Sequence, residues 1–223
     1  MINKKNLIYG IYGAGGSGLS LSFFLKNNPN YKNILNIIYF IDDNNNLLNK
    51  KKINDFPIVS YEEFISLNIQ NKKILISIND IQMKKKIFKK VKKDKIDFWN
   101  YIDNTTKIDS DDLINNSSYF SPFTLINNSS KIGLCFSCNI YSYVEHESKI
   151  GNFVTFAPGV KCNGNVVIED NVFIGTGVII NNGTSKKRLT IGKNSFISAG
   201  TIVNKDVPEN SKLIGSQRLK NVT

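Results

Sequence analysis

Every sixth residue from Ile108 to Ile180 is apolar: Ile108, Ile114, Phe120, Ile126, Ile132, Cys138, Val144, Ile150, Phe156, Cys162, Ile168, Ile174 and Ile180. An α-helix returns to one face about every 3.6 residues and a half-buried strand every second one, so neither produces this spacing. A coil of short parallel strands does. Each six-residue step makes one flat side and one corner, and sends a single large side chain inward. Three steps close one turn of eighteen residues. Glycine follows the ladder residue at Ile132-Gly133, Ile150-Gly151, Ile174-Gly175 and Ile191-Gly192, where a tight corner is expected to demand it. The pattern predicts an all-β, left-handed parallel β-helix.

The first hundred residues have a different rhythm. Leu7–Tyr12 is a short apolar strand, followed by the turn Gly13-Ala14-Gly15-Gly16-Ser17-Gly18 and a helical run from Leu19 to Lys26. Ile34–Ile41 reads as a strand ending in Asp42-Asp43. Pro57-Ile58-Val59, a helix near Tyr61–Leu67, a strand over Lys73–Ile78 and a helix over Gln82–Lys93 follow. Strands alternating with helices imply an α/β, Rossmann-like domain with a parallel sheet. The expected division is 1–103 for this domain and 104–223 for the β-helix with a C-terminal tail. The ladder breaks once, after Ile180, and resumes at Ile191, Ile197 and Val203. The residues between must bulge out, either as a solvated loop or so that Lys186, Lys187 and Arg188 reach a ligand phosphate. Asp206-Val207-Pro208 is expected to end the repeat.

At 223 residues with 41% hydrophobic content the chain can bury a real core. It has no apolar run of 18 residues, so no membrane span is expected, and the N-terminus lacks the form of a signal peptide. We therefore expect a cytoplasmic protein, without disulfides between its three cysteines. The net charge of +11 reflects a Lys, Asn and Ile bias along the whole chain. The densest lysine cluster, around Lys84–Lys95, lies on an expected helix and shares the composition of the rest of the chain, so no nucleic-acid partner is expected. A basic surface would still attract anionic nucleotides.

Three groups of residues could carry chemistry. The glycine turn fits G-x-G-x-x-G between a strand and a helix, a geometry that holds phosphates at a helix N-terminus, with Asp42 and Asp43 near a ribose or base. That pattern alone suits NAD as well as a nucleotide sugar, or a purely structural turn. Cys135-Phe136-Ser137-Cys138 is formally C-x-x-C, but one histidine and Cys162 are a poor supply of further ligands, so no metal is expected. Cys138 and Cys162, as ladder residues, should point inward on different sides. His146, the only histidine, stands in Val144-Glu145-His146-Glu147, two residues past an inward position, and should face outward near a corner. A flanking carboxylate can fix its tautomer and leave the other nitrogen basic. One turn further on is Gly164, which leaves room for a ligand beside the ring.

Together these residues resemble the two-domain sugar acyltransferases that join a nucleotide-sugar-binding α/β domain to a left-handed β-helix. The likeness is strongest to the UDP-N-acetylbacillosamine N-acetyltransferases. It covers nearly the whole chain through Tyr12–Gly18, Phe40-Ile41-Asp42-Asp43, Val144–Glu147 and Gly159–Val166. The resemblance implies an acetyl-CoA-dependent N-acetyltransferase acting on a nucleotide-linked 4-amino-4,6-dideoxy sugar, UDP-linked in the first instance, in surface-glycan biosynthesis. It implies a homotrimer with sites at subunit interfaces. His146 would be the general base and Glu147 its carboxylate partner. Gly164 would offer a backbone N–H to the thioester, with Thr155, Thr176 and Ala199 as further acetyl-CoA contacts. Gly15, Gly16, Ser17, Asp42 and Asp43 would hold the nucleotide, and Asn139 the sugar.

The chain departs from that pattern in three places. Thr155 stands where many relatives have a second histidine, and Ser17 where many have histidine. Gly215-Ser216-Gln217-Arg218-Leu219-Lys220 replaces the usual Gly-x-Pro-Ala-Lys/Arg tail. Sugar O-acetylation, an NAD-dependent oxidoreductase and a non-catalytic scaffold are the alternatives. A carbonic anhydrase on this fold would need three zinc-binding histidines, which one histidine excludes.

Overall fold

The computed structural model describes residues 6–109 and 117–215. The N-terminal sheet runs β3-β4-β2-β1-β5-β6, with β1 Leu7–Tyr12, β2 Ile38–Ile41, β3 Lys52–Ile53, β4 Phe56–Val59, β5 Asn71–Ile76 and β6 Asp97–Phe98. Five strands are parallel, and β3 turns back antiparallel onto β4. Helices α1 (Gly16–Asn27), α2 (Asn45–Leu48), α3 (Tyr61–Ser66) and α4 (Ile81–Lys93) cover its faces. The expected strand over Ile34–Ile41 is corrected: Pro29–Ile37 is a 3₁₀ helix and only Ile38–Ile41 is strand. Pro29 sits in its first turn and the Asn28 side chain accepts from Asn30 N–H, so the chain is already turning before the apolar residues arrive.

From Tyr101 the chain winds into a left-handed parallel β-helix. Face one stacks Tyr101–Ile102, Tyr119–Phe120, Ser137–Cys138, Thr155–Phe156, Phe173–Ile174, Phe196–Ile197 and Lys212–Leu213. Face two runs from Lys107–Ile108 to Ile202–Val203 and face three from Lys131–Ile132 to Leu189–Ile191. The second residue of each two-residue strand points inward, and these side chains form one continuous core. The ladder begins one step earlier than expected, at Ile102. It also continues past Asp206-Val207-Pro208: Val207 bridges to Ile191, and Lys212–Leu213 adds a last rung. Ladder position Ile114 and tail residues 216–220 lie outside the described residues.

The corner glycines have a different cause from the expected one. The left-handed residue of each corner is Phe123, Cys135, Tyr141, Glu147, Phe153 and their equivalents, all near φ +60°. Gly133, Gly151, Gly175 and Gly192 do not have positive φ. A Cβ on Gly133 would lie 2.5 Å from the Gly151 carbonyl group, and one on Gly175 2.5 Å from Ala199 N. Close approach of successive coils requires these glycines. Serines complete the corners: Ser118, Ser142 and Ser148 each accept the backbone N–H of the residue eighteen positions on (Phe136, Val160 and Val166), so these buried donors are satisfied.

The two domains meet on face one. Ile76 N–H donates to Ser117 Oγ, Ile102 N–H to Tyr31 Oη, and Phe88 packs edge-on against Phe153. Lys84 of α4 is wholly buried there. Its Nζ donates to Ser137 Oγ at 2.9 Å, Thr155 Oγ1 at 3.0 Å and the Cys135 carbonyl at 3.4 Å. No ion pair forms with it among the described residues. Burial pulls its pKa from 10.5 down to about 8. The folded protein releases this proton at lower pH than the unfolded chain does. The destabilising term is therefore complete below pH 8 and fades as pH rises toward 10.5. Urea unfolding at pH 7.5 and 9.5 should show wild type gaining about 2 kcal/mol relative to Lys84→Met over that interval. Identical pH slopes in the two proteins would place the titration elsewhere.

Candidate active site

The glycine turn joins β1 to α1. A Cβ on Gly18 would lie 2.2 Å from the Gly13 carbonyl oxygen, and Gly13 itself has φ +114°. These two glycines serve the turn and its packing. Gly15 and Gly16 are exposed, and a Cβ on either would meet nothing within 4 Å. Helical bonding starts with Leu19 N–H to Gly15 carbonyl, so the N–H groups of Gly16, Ser17 and Gly18 head α1. A cavity of about 360 Å³ opens here, lined by Ala14, Gly15, Gly16, Leu47, Lys50, Lys52 and Ile58, among others. Its walls are apolar, with two lysines beside the helix N-terminus, an arrangement suited to a base and its phosphates. Sequence reasoning missed Lys50 and Lys52 because they sit in a uniform Asn/Lys stretch; the fold of β3 onto β4 brings them there.

The two aspartates diverge. Asp42 accepts from Ala14 N–H at 2.9 Å and Asn44 N–H at 3.0 Å, bracing the turn. Asp43 turns to the other side of the sheet, away from the glycine turn. Its carboxylate accepts from the Tyr12 hydroxyl and, at 2.9 Å, from Tyr61 N–H, with Lys90 Nζ at 3.9 Å. Burial and the adjoining carboxylate push the Tyr12 phenol above its ordinary range.

His146 stands half-exposed in the corner between faces two and three. Its Nδ1 lies 3.3 Å from Glu147 Oε2, and Nε2 makes no hydrogen bond among the described residues. Gly164 lies directly beside the ring: a Cβ there would come 2.6 Å from Cε1 and 2.7 Å from Nε2. Gly164 N–H has no acceptor among the described residues. The imidazole and an unspent backbone donor are thus neighbours at this corner.

The remaining expected residues lie elsewhere. Asn139, Thr176 and Ala199 follow the corner between faces one and two. Thr176 and Ala199 are exposed, and neither N–H has an acceptor among the described residues. Asn139 donates to the Phe156 carbonyl at 2.6 Å. Beside it the phenol of Tyr119 is buried, flanked by Ser17, Ser137 and Asn139, and its hydroxyl makes no hydrogen bond of normal geometry. That tyrosine joins the glycine turn to the Asn139 corner. Thr155 is fully buried under α4, with its hydroxyl engaged by Lys84. Cys138 and Cys162 do point inward, on faces one and two, whereas Cys135 lies outside the coil against the N-terminal domain.

The PglD N-terminal domain family matches residues 9–91. GDP-perosamine N-acetyltransferase of Escherichia coli O157:H7 is 34% identical over 188 residues, covering 83% of each chain. The chain belongs to the PglD-like family of two-domain sugar N-acetyltransferases. WeeI from Acinetobacter baumannii AYE is 35% identical with a TM-score of 0.85, covering 94% of this chain and 97% of that one. The acetyltransferase domain of PglB from Neisseria gonorrhoeae FA1090, solved with acetyl coenzyme A, shares the fold at 19% identity and TM-score 0.78, over 94% of this chain and 96% of that one. Membership in this family decides against the oxidoreductase and scaffold readings. No described helix is long and apolar enough to cross a membrane.

The groove beside His146 depends on Gly164 lacking a side chain. In this sugar N-acetyltransferase, Gly164→Ala should lower kcat about a hundredfold, since displacing a reacting group by about 1 Å costs that much. Circular dichroism and melting temperature should stay near wild type. Full activity would mean that the imidazole works from another position.

Proposed function

We propose that the protein transfers acetyl from acetyl-CoA to the 4-amino group of a nucleotide-linked 4-amino-4,6-dideoxy sugar, with His146 as general base. The observation that carries this reading is the imidazole packed beside the side-chain-free Gly164, whose N–H is unspent among the described residues, with Nδ1 beside Glu147. Nε2 takes a proton from the amine as the nitrogen attacks the thioester carbonyl. The carbonyl electrons move onto oxygen, where Gly164 N–H can donate to them. On collapse the C–S bond breaks, and CoA leaves as the thiol with the proton from His146. An ammonium has no lone pair, so the amine attacks in its neutral form, and the base removes the proton that the nitrogen sheds as the C–N bond forms.

In a single chain the His146 corner is separated from the Thr176–Ala199 corner by the whole of face two, and the glycine turn sits beside the latter. A second copy that sets its His146 corner against this one would complete the groove, which supports a homo-oligomer, trimeric by the family resemblance, with sites between subunits. The resemblance drawn from sequence favours UDP as the nucleotide. The 34% identical relative is by name a GDP-perosamine enzyme, and perosamine is itself a 4-amino-4,6-dideoxy sugar, so GDP is the second reading. CoA release should be followed with UDP-, dTDP- and GDP-linked 4-amino-4,6-dideoxy sugars. Turnover of one nucleotide series well above the others is the expected result and names the base. Turnover of none, with activity on a sugar hydroxyl instead, would overturn the amino-sugar reading.

A further inference from the structure

The break in the ladder is an ordered loop, built on the coil that carries Gly164. Gly183 N–H donates to the Gly164 carbonyl at 3.0 Å, Asn165 Nδ2 to the Thr184 carbonyl, and Leu189 N–H to the Asn165 carbonyl at 3.3 Å. A Cβ on Gly183 would lie 2.2 Å from the Asn165 carbonyl oxygen, so the loop presses directly on that coil. Thr184 and Lys187 exchange backbone hydrogen bonds of 2.7 and 3.2 Å, closing a tight turn with Ser185 and Lys186 at its tip. Between the loop and the next coil lies a cavity lined by Asn182, Arg188, Leu189, Lys205 and Asp206, among others. Asp206 is taken by Lys187 at 2.6 Å. Lys186, Arg188 and Lys205 have no carboxylate partner among the described residues.

The loop belongs to the same corner as His146. Going up the coil, that corner passes from His146 to Gly164, then to the loop, then to Asn204–Asp206. Successive strands stack about 4.8 Å apart, which puts the cationic cavity roughly 10–14 Å above the imidazole. The pantetheine arm between a thioester and its first phosphate has about as many bonds as four residues of extended backbone and reaches roughly 14 Å. A donor whose acetyl group lies at His146 and whose arm follows this corner therefore brings its phosphates to the loop.

We infer that the loop is a phosphate clamp for the acetyl donor, with Arg188 and Lys205, which line the cavity, as its principal cations and Lys186 at the tip of the turn beside them. This rests on the reading of acetyl-CoA as donor. Lys187 is spent on Asp206 and fixes the loop's shape. The clamp sets which thioesters the enzyme accepts: those carrying the nucleotide phosphates bind well, and bare pantetheine thioesters bind poorly.

The test compares acetyl-CoA with S-acetylpantetheine, which keeps the thioester and the arm but has no phosphate. For Arg188→Ala/Lys205→Ala, KM for acetyl-CoA should rise about tenfold to a hundredfold, as expected when charge-assisted bonds are lost. KM for S-acetylpantetheine and kcat with either donor should stay at the wild-type values. A variant that loses both donors equally, or neither, would overturn the clamp and leave a solvated loop. Calorimetric binding of free CoA against pantetheine applies the same comparison without turnover. If wild type transfers acetyl from neither donor, the donor reading fails by itself, and the calorimetry still decides whether Arg188 and Lys205 bind the phosphates.

Discussion

The eighteen-residue register between successive coils is the constraint on which the rest of the site depends. It sets Tyr143–Val144 against Lys161–Cys162 and so brings His146 over Gly164. The same register places each serine hydroxyl under a corner N–H and forces glycine where two coils approach within a Cβ's width. Because the core is filled by one residue per step, the corners are left free to carry chemistry. A slip of one residue would turn the ladder outward and remove the groove together with the core.

The second dependency is the seam between the domains. Lys84 is buried without a counter-ion and is held only by two hydroxyls and a carbonyl, an arrangement that costs stability at neutral pH and fixes geometry. It ties α4 to two adjacent rungs of face one. The N-terminal domain therefore sits in a defined position on the β-helix, with the glycine turn and Tyr119 abutting the Asn139 corner.

Much of this was legible in the sequence, for physical reasons that also explain what was not. The six-residue ladder is a strict periodicity that no helix or ordinary strand imitates, so the β-helix and the outward placement of His146 over Gly164 followed from counting. The Asp42-Asp43 pair illustrates the limit: neighbouring residues at a strand end leave on opposite sides of the sheet, and only Asp42 stays at the turn. Thr155 sits at a position defined by family pattern, but its burial depends on where α4 docks, which no local signal encodes. The corner glycines were recognised as necessary, yet for turn conformation rather than coil contact, because sequence shows spacing along the chain and not across coils. The 3₁₀ helix begins at Asn28-Pro29, and the apolar run that follows it reads as strand by pattern alone.

The central claim is that His146 takes the proton from the attacking amine. The most direct measurement is kcat for wild type and His146→Ala on the sugar nucleotide that turns over, with binding of both substrates measured in parallel. The account predicts a fall of about a hundredfold to ten-thousandfold at unchanged binding, the range general-base catalysis supplies. A variant that binds and turns over like wild type would contradict it.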